Sequence, residues 1–252
     1  DAGFPGARVG IGGDAIHVHG VTHAGTWEER SFLRKHVEEY LSRGAAVYCE
    51  QGIRRLYFDD FASVCAMDDY RWAMSECAAL GGDSHVEGLH EDGVDGLVHE
   101  LADTASTFRE ATYSLIDSGS SVYGDRFERA LGDVAATFVT DHADVATGKS
   151  YEAFSLSRTA SRDPSRLLDL QRYYERAFLP QPLEREWLRR HDPELELMSH
   201  ARNERMTDYV MYHHDDPGDV HVIVGAAHQT GVEYYLERYR EGRELPEPFE
   251  LF

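Results

Sequence analysis

Lysine, cysteine and long apolar runs are scarce in this chain, and each scarcity excludes a class of protein. The three cysteines form no C-x-x-C pair, which argues against a disulfide framework or a zinc ribbon and favours a reducing compartment. No apolar run approaches the ~20 residues of a membrane-spanning helix. No signal peptide is recognisable, so a cytoplasmic location is expected, although the chain begins at Asp1 and an upstream targeting segment stays open.

The charge balance is strongly one-sided. Asp and Glu total 46 against 25 Lys and Arg, which gives a net charge of −21. Only Lys35 and Lys149 are lysines. An acidic, lysine-poor but folded chain is typical of proteins from salt-loving organisms, because high salt screens the self-repulsion of such a surface. Nucleic acid and anionic membranes are excluded as partners, since both require a basic face. A peptide or small-molecule substrate is expected, and a homo-oligomer remains open.

Secondary-structure patterns predict an α/β core built from the two ends of the chain. Short β-branched runs predict strands at residues 8–11, 15–19, 45–49 and 220–224. Helical periods predict helices at residues 26–41, 60–80, 96–116, 122–145, 165–178, 199–212 and 229–240. We therefore expect one domain over residues 1–252, with a small, mainly parallel sheet and surrounding helices. Its core comes from about 1–60 and 195–240, and a large helical insertion from about 60–195.

Two Gly-x-x-His turns each follow a predicted strand and precede a predicted helix. The first is Gly20-Val21-Thr22-His23, and the second is Gly225-Ala226-Ala227-His228. Open α/β sheets place their ligands at such strand ends. Glu50 follows a third predicted strand in the same way. We therefore expect His23, Glu50 and His228 to meet at one edge of the sheet.

Two imidazoles and a carboxylate suit a divalent metal ion with an open position for water. The same three side chains could also work without metal, with a histidine as general base and the carboxylate orienting it. Arg202 and Asn203, at the start of a predicted helix, would stabilise an oxyanion and position a carbonyl or water. The predicted catalytic residues are thus Glu50, Arg202 and Asn203, and the predicted metal ligands are His23, Glu50 and His228.

Taken in order, these motifs resemble the TraB/PrgY and Tiki group. The resemblance rests on GVTH at 20–23, Glu50, Arg202-Asn203-x-x-Met206 and VGAAH at 224–228. The group belongs to a wider superfamily with the erythromycin esterases and the haem-binding ChaN proteins. The match covers roughly residues 8–60 and 195–240 and leaves the middle of the chain unassigned.

The resemblance implies a parallel sheet with a site at its strand ends and, for Tiki proteins, metal-dependent peptidase activity. The expected function is hydrolysis of a peptide or related amide or ester bond, with Mn, Co or Zn as the expected divalent ion. Two alternatives stay open: a metal-independent hydrolase like the erythromycin esterases, and a non-catalytic protein that binds a small ligand or haem. The sequence AGTWEERSF after the first turn is similar to the erythromycin-esterase pattern.

Overall fold

A five-stranded, mostly parallel sheet forms the centre of the fold. The computed structural model describes residues 3–67, 72, 94–139, 150–214 and 218–244. The strands are β1 (Ala7–Ile11), β2 (Asp14–Val21), β3 (Ala46–Cys49), β4 (Val64–Ala66) and β5 (Val220–Gly225). Their order across the sheet is β1-β2-β5-β3-β4. Only the β1–β2 pair is antiparallel.

Helices surround this sheet and make up most of the chain between its two ends. They are α1 (Trp27–Ser42), α2 (Gln51–Tyr57), α3 (Val94–Tyr123), α4 (Asp125–Val139), α5 (Tyr151–Arg162), α6 (Leu167–Ala177), α7 (Gln181–His191), α8 (Pro193–Glu196), α9 (Arg202–His213) and α10 (Ala226–Arg240). A 3₁₀ turn at Pro164–Arg166 precedes α6, and a π-helical turn at Leu197–Ala201 precedes α9. The predicted α/β class, with a small parallel sheet and a helical insertion, is confirmed.

The sheet is buried on both faces, which explains the β-branched runs in its strands. On one face, Val18 and Val222 pack with residues of α9 and α10, including Met206 and Leu236. On the other face, Ile223 packs with residues of α1 and α2. Burial on both sides favours apolar side chains at most strand positions rather than at alternate ones, and His17, His19 and His221 are polar exceptions in β2 and β5. Among the described residues, no helix is long and apolar enough to cross a lipid bilayer.

The parallel register brings three strand ends to one edge. Val21 of β2 pairs with Gly225 of β5, and Cys49 of β3 pairs with Ile223. Strand β5 lies between β2 and β3. The segments that follow these strands carry the two Gly-x-x-His turns and Glu50, so the expected edge is formed.

Some predicted elements differ from the observed ones. The predicted helix at 60–80 is wrong at its start, because Val64–Ala66 forms β4 beside β3, and most of its remainder lies outside the described residues. The predicted helix at 122–145 begins instead at Asp125, because Gly124 adopts a left-handed backbone conformation with φ of 82° that separates α3 from α4. Helices α5 and α7 were not predicted.

Candidate functional site

Glu50 is the centre of a buried polar cluster at the edge where the strands end. It is 4% exposed and immediately precedes α2. Arg202 Nη2 donates a hydrogen bond to Glu50 Oε1 over 2.5 Å, and the Gly225 backbone N–H donates to Oε2 over 2.9 Å. The carboxylate therefore joins the end of β3, the start of α9 and the end of β5.

The surroundings of Glu50 keep it ionised although it is buried. Burial by itself would raise the pKa of this carboxyl. Four neighbouring groups together outweigh burial and hold the pKa of Glu50 below its usual value. They are the charge of His228, the charge of Arg202, the Gly225 N–H and the charge of His23. A permanently ionised carboxylate at this position can attract a cation or orient a water molecule, but it is a poor proton donor.

Asn203 fixes the orientation and tautomer of His228. His228 Nδ1 lies 2.7 Å from Asn203 Oδ1, and because an amide oxygen only accepts, Nδ1 carries the hydrogen. In the neutral ring, the lone pair is then on Nε2, which faces Glu50 Oε1 at 3.9 Å. A base or a metal ligand requires this tautomer. The structure thus brings Glu50, Arg202, Asn203 and His228 together, and their catalytic and metal-binding roles stay a prediction.

Gly231 provides the space that Asn203 occupies. A Cβ atom added to Gly231 would lie 2.0 Å from Asn203 Nδ2 and 2.6 Å from Cγ. We expect Gly231→Ala to push Asn203 away and to lower the free energy of unfolding by about 1–3 kcal/mol, despite alanine's better helix propensity. Thermal or denaturant unfolding measures this change. In an Asn203→Ala background most of the penalty should disappear, and an equal penalty in both backgrounds would contradict the steric explanation.

A buried carboxylate, Glu29, holds the first Gly-x-x-His turn. Its Oε1 accepts hydrogen bonds from the Thr22 N–H at 2.7 Å and the Thr22 hydroxyl at 2.6 Å, and its Oε2 accepts from the Ala24 N–H at 3.2 Å. The Tyr57 hydroxyl also donates to Oε2. Burial, together with the nearby Glu29 charge, raises the pKa of Tyr57. Thr26 Oγ1 accepts a hydrogen bond from the Glu29 N–H at the start of α1, while the Glu29 side chain extends to the turn.

His23 completes this turn with an unusual backbone. Its φ of 64° makes it the one non-glycine residue with positive φ within the described part of the chain, a conformation that persists where the surroundings enforce it. Its ring lies against Gly52 of α2, where an added Cβ would come within 3.0 Å of Cε1 and 3.1 Å of Nε2. His23 also lowers the pKa of Glu50. The turn therefore directs His23 toward α2 and Glu50.

The first glycine of this turn is required by a close approach of α10. A Cβ on Gly20 would lie 2.9 Å from Ala226 Cα and 2.5 Å from Gln229 Oε1. Gln229 accepts a hydrogen bond from the Gly20 N–H at 2.8 Å, and Gln171 Nε2 donates to the Gly20 carbonyl at 2.9 Å. Both glutamines are buried. Gln229 fixes the first turn to the start of α10, which carries His228, and Gln171 fixes it to α6.

Comparison with known proteins identifies no relative. No family model matches the chain, and neither a curated protein nor a solved structure does. The function must therefore be argued from the geometry of the site.

The pair formed by Glu50 and His228 has a separation that suits a bound ion. Two ligands that each lie ~2.0–2.2 Å from one ion can be up to ~4.4 Å apart, and Oε1 and Nε2 are separated by 3.9 Å. Within the residues that the structure describes, no group of three or more His, Cys, Asp or Glu side chains is arranged to hold a metal ion. The three-ligand set that includes His23 therefore stays a prediction.

A cavity of about 330 Å³ adjoins the site and is lined by Arg202, Asn203 and His228. Its far side is formed by the insertion and the π-helical turn, through Tyr174, Phe178, Gln181, Glu184, Leu195, Met198, Ser199 and His200. A second cavity, of about 630 Å³, is lined by Ala24 and residues of α3 and α5, and it shares Tyr174 with the first. The insertion thus encloses the space next to His228, which sequence periodicity alone did not reveal.

The far side of the smaller cavity contains a buried histidine–carboxylate pair. His200 Nε2 lies 3.3 Å from Glu184 Oε1, and Glu184 Oε2 accepts the Leu179 N–H at 2.9 Å. When the ring carries a single hydrogen on Nε2, its Nδ1 is an acceptor. Among the described residues, neither this atom nor Gln181 Oε1 finds a hydrogen-bond partner. Buried acceptors of this kind suit a ligand that brings N–H or O–H donors.

Proposed function

We propose that this chain is a hydrolase similar to the TraB/Tiki group, which cleaves a peptide or related amide or ester bond at the Glu50–His228 site. The observation that carries the proposal is the arrangement of His228, whose Nε2 lone pair is fixed by Asn203 and faces the ionised Glu50 at 3.9 Å. A positioned base next to a carboxylate is the usual requirement for activating water.

Each residue of the cluster has a role in this proposal. His228 accepts a proton from the attacking water and then donates it to the leaving nitrogen or oxygen as the C–N or C–O bond breaks. Glu50 orients the water and stabilises the imidazolium, and Asn203 holds the tautomer. Arg202 stabilises developing negative charge, and its hydrogen bond to Glu50 also holds the carboxylate in place.

A divalent ion fits this site in part, and we propose Mn, Co or Zn. Glu50 and His228 would hold it, with His23 as the expected third ligand. When bound, such an ion lowers the pKa of a coordinated water and polarises a carbonyl. A metal-independent esterase is the second candidate, and the 2.5 Å hydrogen bond between Arg202 and Glu50 Oε1 favours it, because the guanidinium already neutralises the carboxylate.

Metal analysis and a hydrolysis screen, both in molar salt, would test the proposal. The purified protein would be analysed for bound metal and for haem absorbance, then assayed on aminoacyl p-nitroanilides and p-nitrophenyl esters with and without chelator. We expect stoichiometric transition metal and activity that is lost on chelation and restored by metal. Activity that survives chelation would favour the esterase, and haem absorbance without hydrolysis would favour a binding protein.

A further inference from the structure

An apolar stripe runs along the outer side of α3, the longest described helix. Phe108, Leu115 and Val122 are spaced seven residues apart and are 64%, 73% and 72% exposed. In the sequence, Val94 and Leu101 continue the same spacing toward the N-terminus of the helix. We call Phe108, Leu115 and Val122 the α3 stripe. Single exposed apolar residues are ordinary, but a regular row of them marks an interaction surface.

The stripe lies away from the body of the protein. Tyr113 and Ile116, on a different side of α3, are buried and pack with Tyr151 of α5. Asp117 pairs with Arg158 of the same helix α5 at 2.9 Å. Helix α4 packs beside the C-terminal part of α3, where Phe127 lies against Gly119 and Tyr123. Within the part of the chain that the structure describes, these contacts leave Phe108, Leu115 and Val122 exposed.

The spacing of the stripe specifies what covers it. Apolar residues that recur every seven positions stay in contact with a partner along the whole helix only when that partner is another helix in a left-handed coiled coil. The helix has 30 residues, which corresponds to a length of roughly 45 Å. A groove for an extended peptide or a flat lipid surface would not require the row to recur every seven residues.

The positions next to the stripe are small and uncharged. Ala111 and Ser118 occupy the second core position of the repeat, and the flanking positions hold Thr112, Ser114, Gly119 and Ser121. From residue 111 to 122, Asp117 is the only charged residue, in a chain of which 28% is charged. Most of the surface of a chain with a net charge of −21 would repel a second copy, whereas this side of α3 would not.

From these observations we propose that α3 pairs antiparallel with α3 of a second copy of the chain. In an antiparallel pair, the large residues of one helix lie over the small residues of the other, so Leu115 and its neighbours would fit above Ala111 and Ser118. A two-fold axis near Leu115 makes the surface complementary to itself, which closes the assembly as a dimer.

Light scattering coupled to size exclusion, in molar salt, would test the dimer. We expect the wild type at twice the 28.5 kDa chain mass. Leu115→Arg places two like charges in the seam and should weaken dimerisation by at least about 100-fold, which yields monomers. The matched control is Leu183→Arg on α7, where the leucine is 63% exposed, and this variant should remain dimeric. Both leucines are on the surface, and circular dichroism would verify that both variants fold.

Disulfide trapping would test the direction of pairing. With Leu115 over Ser118 of the partner, Val122 of one chain lies over Ala111 of the other. In a background with Cys65→Ser and Cys77→Ser, chains carrying Ala111→Cys would therefore be mixed with chains carrying Val122→Cys. Antiparallel pairing cross-links one kind of chain to the other, whereas cross-links within each kind would overturn the arrangement.

A monomeric wild type, a dimeric Leu115→Arg or a monomeric Leu183→Arg would also overturn the proposal. So would a monomer that sediments with phosphatidylcholine vesicles, because the stripe would then bind lipid.

Discussion

Replacing His228 with alanine is expected to reduce kcat/KM by at least about 10³-fold while leaving the fold intact. The loss corresponds to roughly 4 kcal/mol of transition-state stabilisation, the size expected when a positioned general base or a metal ligand is removed. The fold should tolerate the change because the His228 ring is half-buried in the first turn of α10 and is absent from the apolar core. Its hydrogen bond to Asn203 contributes only about 1 kcal/mol to stability.

This experiment uses whichever p-nitroanilide or ester the wild type hydrolyses, together with a melting curve for each variant. His191→Ala, at the exposed end of α7, is the control histidine and should retain full activity. Asn203→Leu separates positioning from chemistry, because it frees the His228 tautomer without removing the ring. It should lower kcat and shift the pH profile. Undiminished turnover by His228→Ala would exclude the proposed site.

The site edge could be predicted from the sequence because its causes are local. Each of the two Gly-x-x-His turns follows a strand buried on both faces, and such strands are recognisable as short β-branched runs. Once the strands are parallel, their carboxyl ends share one edge, so residues that follow them must come near each other. The convergence of Glu50 and His228 depends on this rule and on nothing about the insertion.

The pairing of Glu50 with Arg202 could not be predicted. The two residues are separated by 152 positions, and only the packing of α9 against the sheet decides where its first residue lies. The same holds for Gln171, which comes from the insertion and reaches the Gly20 carbonyl. The role of Glu29 could not be predicted either. Thr26-Trp27-Glu28-Glu29 has the pattern of a capping box, and only the structure shows that Glu29 is buried and bonds to the first turn.

The boundaries of the insertion were harder to predict than the core. Strand β4, Val64–Ala66, has only three residues. Three residues are too few to show the alternating pattern of a strand within a segment whose apolar spacing otherwise predicts a helix. Helix α5 contains serine, threonine and alanine at many positions and few large apolar side chains. Its burial against α3 and α6 comes from tertiary packing, which single-sequence patterns do not report.

Mild acid is expected to destabilise the protein through a group of stacked histidines on the α1 face of the sheet. His19 Nε2 lies 3.0 Å from His221 Nδ1, and His19 Nδ1 lies 3.0 Å from the Pro5 carbonyl. Since that carbonyl only accepts, His19 donates through Nδ1, and its Nε2 must accept from His221. Protonated His19 would place two hydrogens between the rings. Protonation of His19 would therefore require His221 to change its tautomer, and it would place a positive charge in a buried position.

The shifts in pKa set the pH window. Burial, aided by the neighbouring His221, His17 and His36, lowers the pKa of His19 to about 3. Burial likewise lowers the pKa of His221 to about 4. In the unfolded chain both rings titrate near pH 6.5. Above pH 6.5 neither state binds a proton and stability is unaffected. As the pH falls below 6.5, only the unfolded chain binds protons, so stability is lost until the folded pKa values are reached.

At pH 5 the loss from His19 alone is about 2 kcal/mol, because 1.5 pH units below its unfolded pKa correspond to roughly 1.36 kcal/mol each. His221 adds to the loss in the same direction.

Urea unfolding at several pH values between 7 and 5, in constant molar salt, measures the slope of stability against pH. The phenylalanine of His19→Phe can still stack against Phe4, whose ring lies 4.2 Å from the His19 ring. This variant should reduce the slope by the amount that corresponds to the uptake of up to one proton on unfolding. His191→Phe, at an exposed position, should leave the slope unchanged. An unaltered slope in His19→Phe would show that acid destabilises the protein elsewhere.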